Sequence, residues 1–487
     1  MHKSSFLEIM RALDKEELKR FEAFLSSPYY NTRNNSVKLF SIIKKYAPDF
    51  DNKSLDKEEV WKKLFPDKEY NYGLFKNIIY DITKLTERFL EVENFNSDEI
   101  ERMKHLLRKL TDKKLKNIFL NKYNTFEKNF FKSSKFYHNY YEDYLDLRYT
   151  KFELEAFNPK DRTKFLATEN AELMIFNFMA KFSNNYNNLY IEQTEHNERH
   201  DNDFIDLFAK TVFSNQELDN YLDELSKGDR KDFKTAVIFF KLMKSYLNPN
   251  DIKYYYELKD TLFRNDKYIS EAAMRGLYAS LGSALDNCKD IKSINQPQEL
   301  YDIINHMVEK NIFAQEDGKV VPTLYLLTIK ISGYLRKPEL IRKLLKEYLP
   351  KIDHELQENF KNYTLAFLHY SNNEYDSALE HSNKITIDTF QLKYILKNLQ
   401  IRISYEKNDY EMFLYLMDSQ KHFLAKNRSV SESYKTSNMK FLNYTNLLFK
   451  LSEKYNKTEL GMTEKLITND VVVNKQWLLE KLKELVK

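Results

Sequence analysis

The chain has 487 residues, 42% of them hydrophobic and 15% aromatic, enough core material for two or three domains or one extended solenoid, so global disorder is excluded. Seven Gly and nine Pro argue against sheets with tight hairpins and against Gly-rich phosphate loops, and they favour long helices with brief connections. The formal charge of +4, from 77 basic and 73 acidic residues, demands no polyanionic partner, and the single cysteine, Cys288, excludes an internal disulfide and fits a reducing compartment.

Residues 1–97 read as an N-terminal helical unit. Phe6, Ile9 and Leu13 share one face of a first helix. Asp14 is placed to cap the next helix, with Glu17 three residues on completing a capping box, and Leu18, Phe21 and Leu25 continue the apolar face up to Pro28. Val37, Phe40 and Ile43 predict a third helix. Asp56 caps a fourth that buries Val60, Trp61 and Leu64 and stops at Pro66. Leu74, Ile78, Ile82, Leu85 and Phe89 form the stripe of a longer one. The N-terminus lacks the apolar core of a signal peptide, and no apolar run approaches the roughly 20 residues that span a bilayer, so no membrane contact and a cytoplasmic location are expected.

Residues 98–202 differ in character. Between Arg102 and Lys135 stand eleven Lys or Arg residues against two acidic ones, Asp112 and Glu127. Leu115, Phe119, Phe126 and Phe130 predict the buried stripe of a helix, and Lys128, Lys132 and Lys135, at i, i+4 and i+7, share its other face. Lys113, Lys116, Lys128, Lys132 and Lys135 are the candidates for contact with a phosphate backbone, where lysine-rich faces release counterions and nearby aromatics stack on bases. The competing readings are a solvated helix face or a contact with the acidic C-terminal region. Tyr137, Tyr141, Tyr144 and Leu145 fit a helical face. From Asp161 to Asp201 there is no Pro or Gly, which predicts one long helix or two broken at Asn184–Asn188.

From 203 to 487 helix-length patterns alternate with polar turns around Gly228, Pro249, Pro297, Gly318, Pro338 and Pro350, the arrangement that stacked helical hairpins require. A last amphipathic helix from Lys475, carrying Trp477, Leu478, Leu482 and Leu485, is expected to close the end of the stack.

Two stretches in this region are built alike. Residues 359–385 and 394–421 each hold two helical patterns joined by a polar turn, and the turns place Tyr375 and Tyr410 thirty-five residues apart. Leu365-Ala366, Tyr370, Tyr375-Asp376 and Ala378 resemble the tetratricopeptide repeat at its leucine-small pair, its first-helix aromatic, its turn tyrosine and its second-helix alanine. The next copy keeps Tyr405 and Asn408-Asp409-Tyr410 but has Phe413 where the alanine belongs. Leu335 and Leu340 mark a fainter copy, so the resemblance covers residues 325–425; the early tryptophan and closing proline of the family are missing. What the resemblance implies is an all-α helical-hairpin solenoid whose first helices line a concave groove for a partner segment. Carried over by position, the groove residues are Tyr363, Phe367 and Tyr370 from one repeat and Asn398, Arg402 and Tyr405 from the next.

Catalytic motifs are lacking. His196 and His200, with Glu192 a turn earlier, stand at ligand spacing on a helix, but HNERH is not the HExxH arrangement and its setting is polar. Cys288 has no neighbouring histidine and reads as core filler. No Walker loop, dinucleotide fingerprint, nucleophile elbow or paired CxxC is present. The expected protein is therefore not an enzyme and takes no metal or cofactor. It is a scaffold that binds a partner protein in its helical groove, or alternatively a nucleic-acid-binding helical protein.

Overall fold

The computed structural model describes all residues except 133–134, 157–165, 196–202, 289–293, 316, 387–388, 428–431, 455 and 486–487. Among the described residues the fold is all-α: 24 α-helices and no strand, with one isolated bridge joining Phe136 to Ile269. The chain falls into two compact units, 1–125 with 149–162 and 126–148 with 163–487. The boundary expected at residue 97 lies inside the first unit, and the one expected at 202 lies inside the second.

The first unit begins with α1 (Ser5–Ala12), α2 (Lys15–Ser26), α3 (Asn34–Ile43), α4 (Lys57–Leu64) and α5 (Tyr72–Ser97), followed by α6 (Glu99–Asp112) and α7 (Lys116–Phe126). The capping box forms: Asp14 accepts from the backbone N–H of Glu16 and Glu17 at 2.8 Å, and Glu17 accepts from the Asp14 N–H at 2.8 Å. Asp56 stands at the start of α4 but makes no side-chain cap. One core, running in sequence from Met1 to Phe89, joins the first five helices through Phe21, Phe40, Trp61, Phe75 and Phe89.

The second unit contains a wide π turn, Glu127–Lys132, and the first part of α8 (Tyr140–Ala156), followed by α9 (Leu166–Glu195). The π turn overturns the expected lysine face. Its i→i+5 bonding breaks the spacing of a regular helix, and by Lys135 the chain is extended, with Phe136 bonded to the backbone of Tyr268 and Ser270 at 2.7 Å each. Lys128 and Lys135 therefore do not share a helix face. The long helix α9 runs unbroken through Asn184–Asn188, because Phe176, Met179, Ala180 and Ser183 are buried along it.

Next come α10 (Asp203–Phe213), α11 (Gln216–Ser226), α12 (Lys231–Leu247), α13 (Lys253–Asn265) and α14 (Glu271–Asn287). Helix α12 is buried on nearly every side because α9, α10, α11, α13 and α14 all pack on it. Its Lys241 and Lys244 go inside with it, and both bind Asp219 of α11, Lys241 at 2.8 Å; Lys241 also reaches Asp223 at 2.9 Å. Burial pushes the Asp219 carboxyl up, but the hydrogen bonds from the two lysines outweigh it and hold the group below the usual range.

The remaining helices are α15 (Gln296–Glu309), α16 (Pro322–Tyr334), α17 (Pro338–Glu347), α18 (His354–Ser371), α19 (Tyr375–Asn383), α20 (Phe390–Glu406), α21 (Tyr410–Lys426), α22 (Glu432–Glu453), α23 (Lys457–Asn469) and α24 (Lys475–Glu484). The polar signal at Asn295–Gln298 falls between α14 and α15 and starts the second of them: Asn295 caps α15 by accepting from the Gln298 N–H at 3.3 Å. Three successive helix pairs, α16/α17, α18/α19 and α20/α21, share one turn. In each, a residue with positive φ follows the first helix (Arg336, Asn373, Asn408), and the next N–H bonds back to Ser332, His369 or Ser404 at 2.8–2.9 Å. Helix α18 packs on α16, α17 and α19 around Tyr363, Phe367 and Ala378, all fully buried.

Gly333 of α16 lets Phe367 approach; a Cβ there would stand 2.6 Å from the ring. Gly333→Ala is expected to lower stability by about 1–3 kcal/mol through overpacking. Gly276→Ala, at an exposed site in α14 with nothing within 4 Å, is expected to raise it by up to about 1 kcal/mol through helix propensity. Chemical unfolding of the two variants checks both signs.

Asp219→Asn leaves the buried Lys244 without a carboxylate among the described residues and Lys241 with Asp223 and Glu257, and is expected to remove about 3–5 kcal/mol. Because the Asp219 pKa is depressed in the fold, its contribution is present above about pH 4 and lost as the pH falls further. Unfolding curves of wild type and Asp219→Asn should therefore converge in acid.

Candidate functional site

Three helices bring the predicted groove residues to their places. Helix α20 presents Asn398, Arg402 and Glu406 one turn apart on a single face. Helix α16 places Lys330 and Tyr334 in the same register, and α24 supplies Trp477 and Lys481. Between α16, α20 and residues 471–480 lies a cavity of about 450 Å³ that includes Asn398, Arg402, Lys330, Tyr334 and Trp477 in its wall.

The C-terminal helix sits on the α20 face by specific contacts. Trp477, 4% exposed, lies edge-on against Tyr405 and Phe441, with ring centroids 5.4 and 6.0 Å apart. Its indole N–H donates to Glu406 at 3.2 Å, and Lys481 donates to the other Glu406 oxygen at 2.8 Å. Arg336, from the turn after α16, approaches the same carboxylate at 3.6 Å. Burial pulls the Lys481 amine down, but the hydrogen bond to Glu406 outweighs it and holds the group above the ordinary lysine value. Burial beside Glu406 pushes the Tyr405 hydroxyl up to about 12.

The six expected groove residues divide. Tyr363, Phe367 and Tyr370 are interior and present no groove surface. Tyr363 donates to the Leu326 carbonyl at 3.0 Å, Phe367 fills the space over Gly333, and Tyr370 packs edge-on to Tyr334. The reason is that α16 packs directly against α18, so the expected lining face becomes the joint between helix pairs. Asn398 and Arg402 do line the cavity, though both are nearly buried, and Tyr405 is half-buried under Trp477.

The basic candidates divide as well. Lys113 is exposed and Lys116 partly so, both in the first unit; Lys128 and Lys135 are exposed in the second, and the side chain of Lys132 lies outside the described residues. His196 and His200 also lie outside them. Among the described residues no cluster of His, Cys, Asp or Glu is placed to hold a metal ion, and no helix is long and apolar enough to cross a membrane. Cys288 is buried at the end of α14.

Sequence reasoning overlooked Glu406, Lys330, Tyr334 and Lys481. Glu406 falls one turn beyond Arg402, a signal that was available. The pairing of Trp477 and Lys481 with Glu406 spans more than seventy residues and leaves no local mark. No protein-family model, curated protein or solved structure matches the chain.

Glu406→Gln is expected to loosen the C-terminal helix by about 1–3 kcal/mol, since it removes the carboxylate that accepts from both Trp477 and Lys481 and leaves Lys481 with Glu484 of its own helix, at 3.0 Å, as its one remaining carboxylate among the described residues. With Trp61 replaced by Phe, Trp477 becomes the sole indole. Its emission should then shift to the red at lower urea in Glu406→Gln than in the parent, ahead of global unfolding.

Proposed function

We propose that the protein is a non-enzymatic binding scaffold: a stack of helix pairs of the tetratricopeptide kind whose α16/α20 face holds a segment of a partner protein. The observation that carries this reading is the seating of α24. An amphipathic helix, with Trp477 as its aromatic anchor and Lys481 one turn on, is held by Tyr405 and Glu406 of this face. Helix-in-groove recognition works through such i, i+4 anchors. The three like turns of α16/α17, α18/α19 and α20/α21 support a repeating stack. In this reading the partner segment takes the place that α24 occupies over Asn398, Arg402, Tyr405 and Glu406, and Tyr363, Phe367 and Tyr370 serve the joints between pairs.

The test is a gentle low-salt purification of the tagged chain from its host, with and without nuclease, followed by mass spectrometry. The expected result is a stoichiometric protein partner that survives nuclease and is displaced by a synthetic peptide of residues 471–485. It should also be lost from a Tyr405→Ala, Glu406→Ala variant that remains helical by circular dichroism. Co-purifying nucleic acid, with proteins lost on nuclease treatment, would overturn the scaffold reading in favour of the lysines between 113 and 135.

A further inference from the structure

The cavity between α16, α20 and residues 471–480 holds a charge that the seating of α24 does not answer. Arg402 is 3% exposed, and among the described residues no carboxylate lies within ion-pair distance of it. Its Nε has no hydrogen-bond partner. The guanidinium instead meets aromatic rings: Tyr334 at 3.8 Å, Trp477 at 5.1 Å and Tyr370 at 5.5 Å. A guanidinium cannot escape burial by losing its proton, and ring faces return only part of the hydration it gives up. Glu406, one turn away, is already engaged by Trp477, Lys481 and Arg336.

A second cation opens on the same space. Lys330 lines the cavity, makes no side-chain hydrogen bond or ion pair among the described residues, and is partly buried, with part of its side chain open to the cavity. Burial pulls its amine below the ordinary lysine range, and the charge of Asp286 opposes that pull. Of the charged side chains in the wall, Lys330, Arg402 and Lys475 are cationic and Asp286 and Glu480 anionic, which leaves one positive charge in excess. Lys475 donates to the Thr468 carbonyl at 2.8 Å. The rest of the wall includes flat or apolar groups such as Tyr394, Trp477, Leu300 and Ile395.

We propose that this cavity binds a small organic anion, a carboxylate or phosphate ester on a flat apolar body, with its charged head between Arg402 and Lys330 and its body among Tyr334, Tyr394 and Trp477. A volume of about 450 Å³ suits such a molecule, and Arg pairs with planar oxyanions through two parallel hydrogen bonds. The inference goes beyond the partner-binding reading and does not depend on it, since its test uses no protein partner.

The test is calorimetric titration and thermal unfolding of the full chain with benzoate, phenyl phosphate, inorganic phosphate and the neutral isostere benzamide. At least one organic anion is expected to bind and raise the melting temperature, with benzamide at least tenfold weaker. Tighter phenyl phosphate assigns a phosphate ester, and tighter benzoate a carboxylate. Arg402→Met should weaken the anion at least tenfold while leaving the unliganded protein as stable as wild type or more so, because Met fills the aromatic box without a charge. Lys330→Met, at a partly open site, should weaken it severalfold and guards against a folding defect in the first variant. The proposal is overturned if neither organic anion binds, if benzamide binds as tightly, if inorganic phosphate binds as tightly as phenyl phosphate, or if binding survives both substitutions.

Discussion

A single left-handed residue after the first helix turns the chain back at Arg336, Asn373 and Asn408, and the packing of α16 to α21 depends on it. The turn fixes how soon the second helix of each pair begins, and so which of its residues face the first. Asn enters this conformation readily; Arg does so at a penalty of about 1–2 kcal/mol. At Arg336 the side chain supplies an offset: its guanidinium reaches Asn373 in the next turn and Glu406 at the end of α20. Lys407 in the third turn bonds Asp376 just after the second. The turns thus bear on one another as well as ending helices, and they set the register in which α16, α18 and α20 meet.

The second constraint is the hydroxyl of each buried tyrosine. A chain with 35 tyrosines and few alanines builds its interior from rings that carry a polar atom, and each buried O–H needs an acceptor. Tyr363 finds the Leu326 carbonyl, Tyr325 shares a hydrogen bond with Thr364, and Tyr255 and Tyr256 both donate to Glu299 at 3.2 Å. Burial pushes the hydroxyls of Tyr255 and Tyr363 up, so they remain neutral donors. An aliphatic core can slide by a methyl group at small cost, whereas these joints lose a hydrogen bond when they slide. Tyrosine is therefore a source of register between helices here, in addition to its apolar bulk.

How far the sequence foretold this depends on the range of each interaction. The capping box of Asp14 and Glu17 and the turns at Asn373 and Asn408 are settled within six residues, and they were legible. The Asn184–Asn188 run was ambiguous because asparagine disfavours helix by well under 1 kcal/mol per residue, and the burial of Phe176 to Ser183 decides the matter. The π turn at Glu127–Lys132 was hidden, since Phe126, Phe130 and Phe131 satisfy a helical stripe and a widened turn equally well. At the candidate site, periodicity correctly placed Tyr363, Phe367 and Tyr370 on one face of α18. It could not reveal that this face would meet α16 in place of solvent.

That misplacement bears on the site itself. Had α18 lined an open groove, Arg402 would have been one polar contact among several on a wet surface, and its charge would have needed no explanation. With α18 consumed in the joint and α24 laid across the end of α20, Arg402 is instead enclosed by rings from three elements, one of them Trp477 of the last helix. Glu406 is drawn away from it by Lys481, Trp477 and Arg336. The arrangement that seats α24 is therefore the same arrangement that leaves a guanidinium without an anion. The two features are coupled through one turn of helix: whatever lifts Trp477 off Tyr405 also opens the box around Arg402, and an anion held at Arg402 bears directly on the ring that anchors α24.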